Sequence, residues 1–337
     1  MWKILIVLNK NLTWAIPILM FAGFVFGVTT DAGFLKTLIL PFTLLMVYPM
    51  MVTLKIKHLF KGGDIRTQVI TQVINFAIIP FIAFVAGRLF FAETPYMALG
   101  LLLAALVPTS GMTISWTGFA KGDLAAAVKM TVIGLVLGSL ATPFYIKALM
   151  GAEVEMDLAS IFLQIALIVF LPMVAGYVTQ QALVKRFGIE QFQKELAPRF
   201  PGFSTLGVLG IVFIAIALKA KSLANHPELL LKIIIPLFLL YFFNYILSTL
   251  IGKLFLSRGH AIAMVYGTVM RNLSIALAVA INAFGQAGSD AALVIALAYI
   301  IQVQSAAWYL KFTTRLFGPP EAEQLPTERG LHGAAAP

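Results

Sequence analysis

The sequence predicts an all-α membrane protein: ten transmembrane helices in two five-helix inverted repeats, with discontinuous helices 4 and 9. Three observations predict it: the composition, the spacing of apolar runs, and two polar interruptions in corresponding places. The 337 residues are 60% hydrophobic and 11% charged, with a mean hydropathy of +0.95, whereas soluble domains carry about 25% charge. A chain of this make-up has too little polar surface to face water on all sides. At about 20 residues per span, the apolar runs fill the chain and leave no room for a separate soluble domain.

In chain order the runs fall near 14–29, 34–54, 68–91, 95–120, 123–149, 157–179, 203–219, 229–252, 260–286 and 289–313. The start Met1-Trp-Lys3 with an apolar run after it has the look of a signal peptide. It lacks an evident cleavage site and many spans follow, so it reads as the first span. With the N-terminus cytoplasmic, fifteen Lys and Arg fall on the inner side, against six on the outer: Lys36, Arg88, Lys147, Lys219, Lys221 and Lys232. That bias puts both termini in the cytoplasm, in a bacterial or archaeal plasma membrane. It also accounts for the net charge of +10 without nucleic acid, leaving a small solute and membrane lipid as the expected partners. The bundle covers 1–316, its repeats about 11–150 and 157–316. Residues 317–337, rich in Pro, Glu and Ala, read as a disordered tail.

Two spans carry polar breaks. The fourth contains Pro108-Thr-Ser-Gly-Met-Thr-Ile-Ser-Trp-Thr117. Pro108 lacks an amide hydrogen and Gly111 frees the backbone, so the helix stops there. The ninth contains Gly267-Thr-Val-Met-Arg-Asn-Leu-Ser274. Irregular backbone at that depth is tolerated only where protein or a wet cavity satisfies its polar groups. Each break leads to a short turn and a new span, through Phe119-Ala-Lys-Gly-Asp123 and Phe284-Gly-Gln-Ala-Gly-Ser-Asp290. Gly87-Arg-Leu-Phe90, closing the third span, is echoed by Gly252-Lys-Leu-Phe255, closing the eighth. Five spans per half put these echoes on opposite faces of the membrane. Paired broken helices in inverted repeats point to a secondary transporter with a midplane site.

Arg271 is the charge to explain, because a charge at mid-span costs about 2.5–3.5 kcal/mol on insertion scales and calls for a wet cavity or a counter-charge. The candidate solute-binding residues are Arg271, Asn272 and Ser274 at the second break, with Thr109, Ser110, Thr113, Ser115 and Thr117 at the first. The first-break hydroxyls suit equally a structural role on backbone that Pro108 frees. Asn75 and Asn272 are expected to bridge helices. Lys129, Gln302 and Gln304 are candidates for a supporting shell, with Ser305 beside them. Lys129 lies near enough to the end of span five to reach the aqueous surface. If Thr131 faces the site, Lys129, two residues away, faces elsewhere. Gln302, Gln304 and Ser305 suit cavity lining or interhelical hydrogen bonds alike.

Several chemistries are excluded. There is no cysteine, which removes disulfides, thiolate metal sites and cysteine nucleophiles. No His-Glu metal motif or Gly-x-Ser-x-Gly elbow occurs, and His58, His226, His260 and His332 fall in loops or tail. Neither an enzyme, a cofactor nor a metal centre is expected. All fourteen Asp and Glu fall in loops, turns, span ends or the tail, so no carboxylate is offered at the midplane to hold sodium or relay a proton. Sodium or proton coupling stays open.

At its breaks the sequence resembles the bile acid:sodium symporter superfamily, which also contains arsenite permeases. The resemblance covers about residues 10–316. It is carried by Asn75-Phe-Ala-Ile-Ile-Pro80, by Pro108 to Asp123, and by Arg271-Asn272 with the Ala-rich helix after them. It implies ten spans in two five-span inverted repeats, with crossed discontinuous helices 4 and 9, and a core domain moving against a panel domain. In sodium-coupled members one sodium is held around the span-four break, span five and a span-nine glutamate. These positions fall here on Thr113, Ile114, Ala127, Thr131 and Gly267, with Thr268 adjoining. The second sodium's glutamines fall on Asn75 and Arg271, so most ion-binding oxygens are missing. With no carboxylate at the midplane and a cationic side chain at one ion position, Arg271 is expected to stand in for a bound cation.

Two positive half-helix ends and a guanidinium favour an organic anion as the solute. The rival is arsenite or metalloid efflux, since the Phe119–Asp123 turn and the run Ala276–Gly285 resemble the arsenite permease branch. That branch relies on a cysteine in the fourth-span break and an acidic residue in the ninth, and neither is present. A third reading, a sensor or structural membrane protein without transport, predicts a sealed core that no ligand stabilises.

Overall fold

The computed structural model describes residues 11–54, 65–154, 157–285 and 287–320, and every regular element among them is a helix. In order these are α1 (Leu12–Thr29), α2 (Gly33–Val52), α3 (Ile65–Phe90), α4 (Pro95–Leu106), α5 (Gly111–Phe119), α6 (Leu124–Met150), α7 (Ala159–Phe187), α8 (Phe200–Asn225), α9 (Glu228–Phe255), α10 (Arg258–Val269), α11 (Leu273–Phe284) and α12 (Gly288–Phe317). Among the described residues seven helical runs are long and apolar enough to cross a membrane: α2, α3, α6, α7, the run Ile189–Asn225 that ends in α8, α9 and α12. Most of the tail, residues 321–337, lies outside the described residues.

Proline chemistry shapes these helices. Pro80 cannot donate to the carbonyl of Phe76 four residues back. The helix widens into a π turn over Ile74–Ile78, and the Tyr145 hydroxyl of α6 takes the Phe76 carbonyl instead. Asn75 sits inside this turn, fully buried, in keeping with the tendency of π turns to mark functional sites. A second π turn, Ala166–Phe170, precedes Pro172 in α7.

The helices form two groups. α8 packs along α1 and α2, and α7 along α2; α3–α6 and α9–α12 pack on one another. Large apolar side chains point outward, including Trp14, Phe21, Leu171, Phe238 and Leu254. An apolar exterior on this scale needs lipid against it. The protein is an all-α integral membrane protein.

Two positions differ from the sequence reading. α8 continues to Asn225, past the expected end at 219, so Lys219 and Lys221 belong to its last turns. His260 lies in the first turn of α10 instead of a loop, with Nε2 3.4 Å from Asp123 Oδ2.

Candidate functional site

The first break, between α4 and α5, is seated on two glycines of α6. A Cβ at Gly134 would stand 2.5 Å from Thr109 Oγ1, and one at Gly138 would stand 2.7 Å from Pro108 Cδ. This Gly-x-x-x-Gly spacing, residues 134–138, lets the irregular segment press onto the helix. Thr109 takes a left-handed conformation, φ +62°, costly for a β-branched residue and held only by its surroundings. Its hydroxyl lies 2.6 Å from the Pro108 carbonyl and 3.3 Å from those of Met130 and Thr131. Ser110 then caps α5, its hydroxyl accepting from the Met112 amide (3.2 Å) while Thr113 Oγ1 accepts from the Ser110 amide (3.2 Å).

The second break, between α10 and α11, is held by a side chain from α12. The Arg271 amide donates to Gln302 Oε1 (2.8 Å), Gln302 Nε2 donates to the Arg271 carbonyl (3.2 Å), and the Tyr241 hydroxyl also donates to Oε1 (2.8 Å). One carboxamide thus completes the backbone of the break. Asn272 caps α11, its Oδ1 accepting from the Ile275 amide (3.3 Å). The two breaks meet in a single antiparallel bridge, Pro108 with Arg271, with the Asn272 amide donating to the Val107 carbonyl (2.8 Å).

Stopping α10 at Val269 leaves its last carbonyls without helical partners. Three helices supply donors. Asn75 Nδ2 of α3 donates to the carbonyl of Gly267 (3.1 Å) and Asn244 Nδ2 of α9 to that of Thr268 (2.8 Å), while Thr113 Oγ1 of α5 joins the Met270 amide on the Tyr266 carbonyl (3.4 Å). Thr268 Oγ1 pairs with Ser248 Oγ at 2.7 Å. At Gly267 a Cβ would meet Met130 Sδ at 2.7 Å, so a thioether occupies the space beside this position.

Two adjoining cavities open where the breaks meet. The larger, about 230 Å³, is lined by Thr53, Ser110, Gly111, Ser115, Ser204, Thr205, Ser274 and Tyr299 together with apolar residues. The smaller, about 70 Å³, shares Thr53, Ser110 and Gly111 and adds Thr131 and Asn272. Among the described residues, no Asp, Glu, Lys or Arg lines either. Gly111 and Ser115 in the wall are solvent-exposed. The cavities sit at the first turns of α5 and α11, whose free amides and dipole ends are positive.

The predicted residues divide accordingly. Ser110, Ser115, Asn272, Ser274 and Thr131 line the cavities; Thr109, Thr113 and Thr117 are buried outside their walls. Arg271 lines neither: it is 2% exposed, and its Nη1 and Nη2 are buried without a hydrogen-bond partner. Lys129 is buried instead of reaching the aqueous surface, and it is absent from both linings. Gln302 bridges helices. Gln304 and Ser305 line an apolar groove of about 780 Å³ between α9 and α12, walled by Phe238, Phe242, Leu250 and Trp308. Sequence reasoning missed Thr53, Ser204, Thr205 and Tyr299. Thr53 directly follows α2, and Ser204 and Thr205 lie on α8, both read only as apolar spans; the adjacent pair Ser204-Thr205 was the available signal. It also missed the Gly134–Gly138 spacing.

Similarity to known proteins follows the same outline. Residues 40–226 match the model of the sodium bile acid symporter family. The chain belongs to this family. Within it, the chain is 26% identical over 286 residues to the arsenical-resistance protein Acr3 of Alkaliphilus metalliredigens, covering 80% of this chain and 79% of that one. It is 28% identical over 244 residues to the uncharacterized sodium-dependent transporter YocS of Bacillus subtilis, covering 72% and 73%. The probable sodium/metabolite cotransporter BASS1 of rice is 26% identical over 219 residues, covering 63% of this chain and 50% of its own length. This symporter-family chain is a secondary transporter of a small molecule.

Proposed function

We propose that the protein carries a small organic anion by alternating access, binding it in the hydroxyl-lined cavity between the two breaks. The observation that carries this reading is the cavity wall. It offers Ser110, Ser115, Ser204, Thr205 and Ser274 with the N-terminal turns of α5 and α11, and no acidic side chain among the described residues. Hydroxyl and amide donors converging on one hollow suit carboxylate oxygens, and the two dipole ends favour negative charge. About 230 Å³ suits a solute of a few carbon atoms.

In this reading the helices form ten spans in two inverted repeats, 11–150 and 157–316, with α4–α5 and α10–α11 as the discontinuous spans 4 and 9 and both termini cytoplasmic. The protein resides in a bacterial or archaeal plasma membrane. Arg271 acts as a buried fixed cation outside the cavity walls, and transport needs no sodium at the positions of Asn75, Thr113, Thr131, Gly267 and Thr268. Three of the carbonyls there already accept hydrogen bonds from Asn75, Asn244 and Thr113, and Met130 Sδ fills the space beside Gly267. A hard cation needs free oxygens and gains little from a thioether.

A second reading, metalloid efflux, is favoured by the similarity to two proteins named Acr3. It must work without cysteine, of which the chain has none. Thermal unfolding of purified protein with organic acids, arsenite or sodium separates the two. The anion reading expects stabilisation by a carboxylate that disappears in the Ser110→Ala/Ser274→Ala double variant and persists in sodium-free buffer. Stabilisation by arsenite alone establishes the rival. Uptake into proteoliposomes that stops when sodium is removed refutes the sodium-free mechanism.

A further inference from the structure

We infer that the ion pair Lys219–Asp290 is a latch that holds one end of the transporter shut while the other end stands open. Lys219 Nζ lies 2.7 Å from Asp290 Oδ1, and both side chains are partly shielded, 21% and 34% exposed. The pair joins the two helix groups: Lys219 belongs to the last turns of α8, and Asp290 to the first turn of α12. Four further ion pairs join neighbours within one group or one turn. These are Arg88 with Glu153, Lys194 with Glu190, His226 with Glu228, and His260 with Asp123.

The two ends of the molecule differ in the way a latch requires. α8 passes the breaks near Ser204, and Lys219 lies fifteen residues further on, about 22 Å along the helix. Near Ser204 three side-chain bonds stay inside the α1, α2, α7 and α8 group: Ser204 to the Met46 carbonyl, Tyr48 to Thr179, and Gln180 to the Val52 carbonyl. There the solute cavity separates that group from the breaks. At the Lys219 end a second contact also crosses between groups, Asn282 Nδ2 of α11 to Thr43 Oγ1 of α2 at 3.5 Å. The hollow at that end, about 400 Å³, is lined by Lys36, Lys219, Lys221 and Ala292 among others, and by no residue of either break. Alternating access requires the groups to part at this end. The charge pair is the strongest bond named here that must then break.

The absence of cysteine makes the test direct, because a single introduced thiol reports without background. Ala292→Cys lines the hollow at the Lys219 end, and Ser204→Cys lines the solute cavity. Thiol labelling is measured for each in purified protein, alone and combined with Asp290→Asn, Lys219→Gln, or the exchanged pair Lys219→Asp/Asp290→Lys. The latch expects Asp290→Asn and Lys219→Gln each to raise labelling at 292 and lower it at 204, by about two- to fivefold for a partly exposed pair. The exchanged pair returns both rates toward the starting values. Unchanged rates in both neutral variants overturn the inference. A rise at both positions together also overturns it, because that makes the pair a structural staple. No solute is present, so the outcome is independent of whether the cargo is an organic anion.

Discussion

The two helix breaks do the same topological job by different chemistry. The first is satisfied locally: Thr109, Ser110 and Thr113 lie within a few residues of Pro108 and bond backbone, and α6 contributes only carbonyls and room at Gly134 and Gly138. The second is satisfied from a distance, by Gln302 from α12, while Asn75, Thr113 and Asn244 hold the end of α10. Local satisfaction leaves Ser110 and Ser115 in the cavity wall. Remote satisfaction takes Arg271 out of that wall and leaves its Nη atoms unpartnered. The difference teaches that a buried charge at a break can serve the frame of a site without touching what the site binds.

Removing the remote support gives the largest expected effect. Gln302→Leu strips partners from the Arg271 amide and carbonyl and from the Tyr241 hydroxyl, at about 1–3 kcal/mol for each buried group left unpaired. The thermal unfolding midpoint in detergent then falls further than for any substitution at the first break. Next is Gly138→Leu, which drives a side chain into Pro108 and the Leu106 carbonyl. Overpacking of this kind costs about 1–3 kcal/mol, read as a lower midpoint and a smaller monodisperse peak in size exclusion. Ser110→Ala deletes the cap of α5 for about 1 kcal/mol, and here the comparison sharpens. The same substitution removes a donor from the cavity, so solute-dependent stabilisation shrinks along with the midpoint. Ser115→Ala is the smallest in stability, within about 0.5 kcal/mol as for other exposed positions, yet it weakens solute binding in titration calorimetry. Equal midpoint losses for Gln302→Leu and Ser110→Ala would erase the distinction between the breaks.

The first break was the more legible in sequence because its chemistry is local. Pro108, Ser110, Gly111 and Thr113 fall within six residues, so the interruption and its caps could be read together. The role of Thr109 was readable only as one of two options, since solute contact and backbone repair ask for the same hydroxyl. At the second break Arg271 advertised a site, but its direction could not be read. Which way a guanidinium faces depends on tertiary packing, and even its backbone is held by Gln302 and Tyr241, thirty residues away on either side. Lys129 misled in the same way, because proximity to a helix end says nothing about which neighbour covers the side chain.

Composition and apolar spacing alone determined that this is a helical membrane protein, since a chain this short of charge can bury its surface only in lipid and must close its backbone bonds within helices. The sequence also determined where the helices break, because proline and glycine act on their own backbone. Only the tertiary structure decided what meets at the breaks: the Pro108–Arg271 bridge, the Gln302 clamp, the walls supplied by α2 and α8, and the Lys219–Asp290 pair. Those contacts join residues far apart in the chain, where local propensity has no hold and packing alone selects the partner.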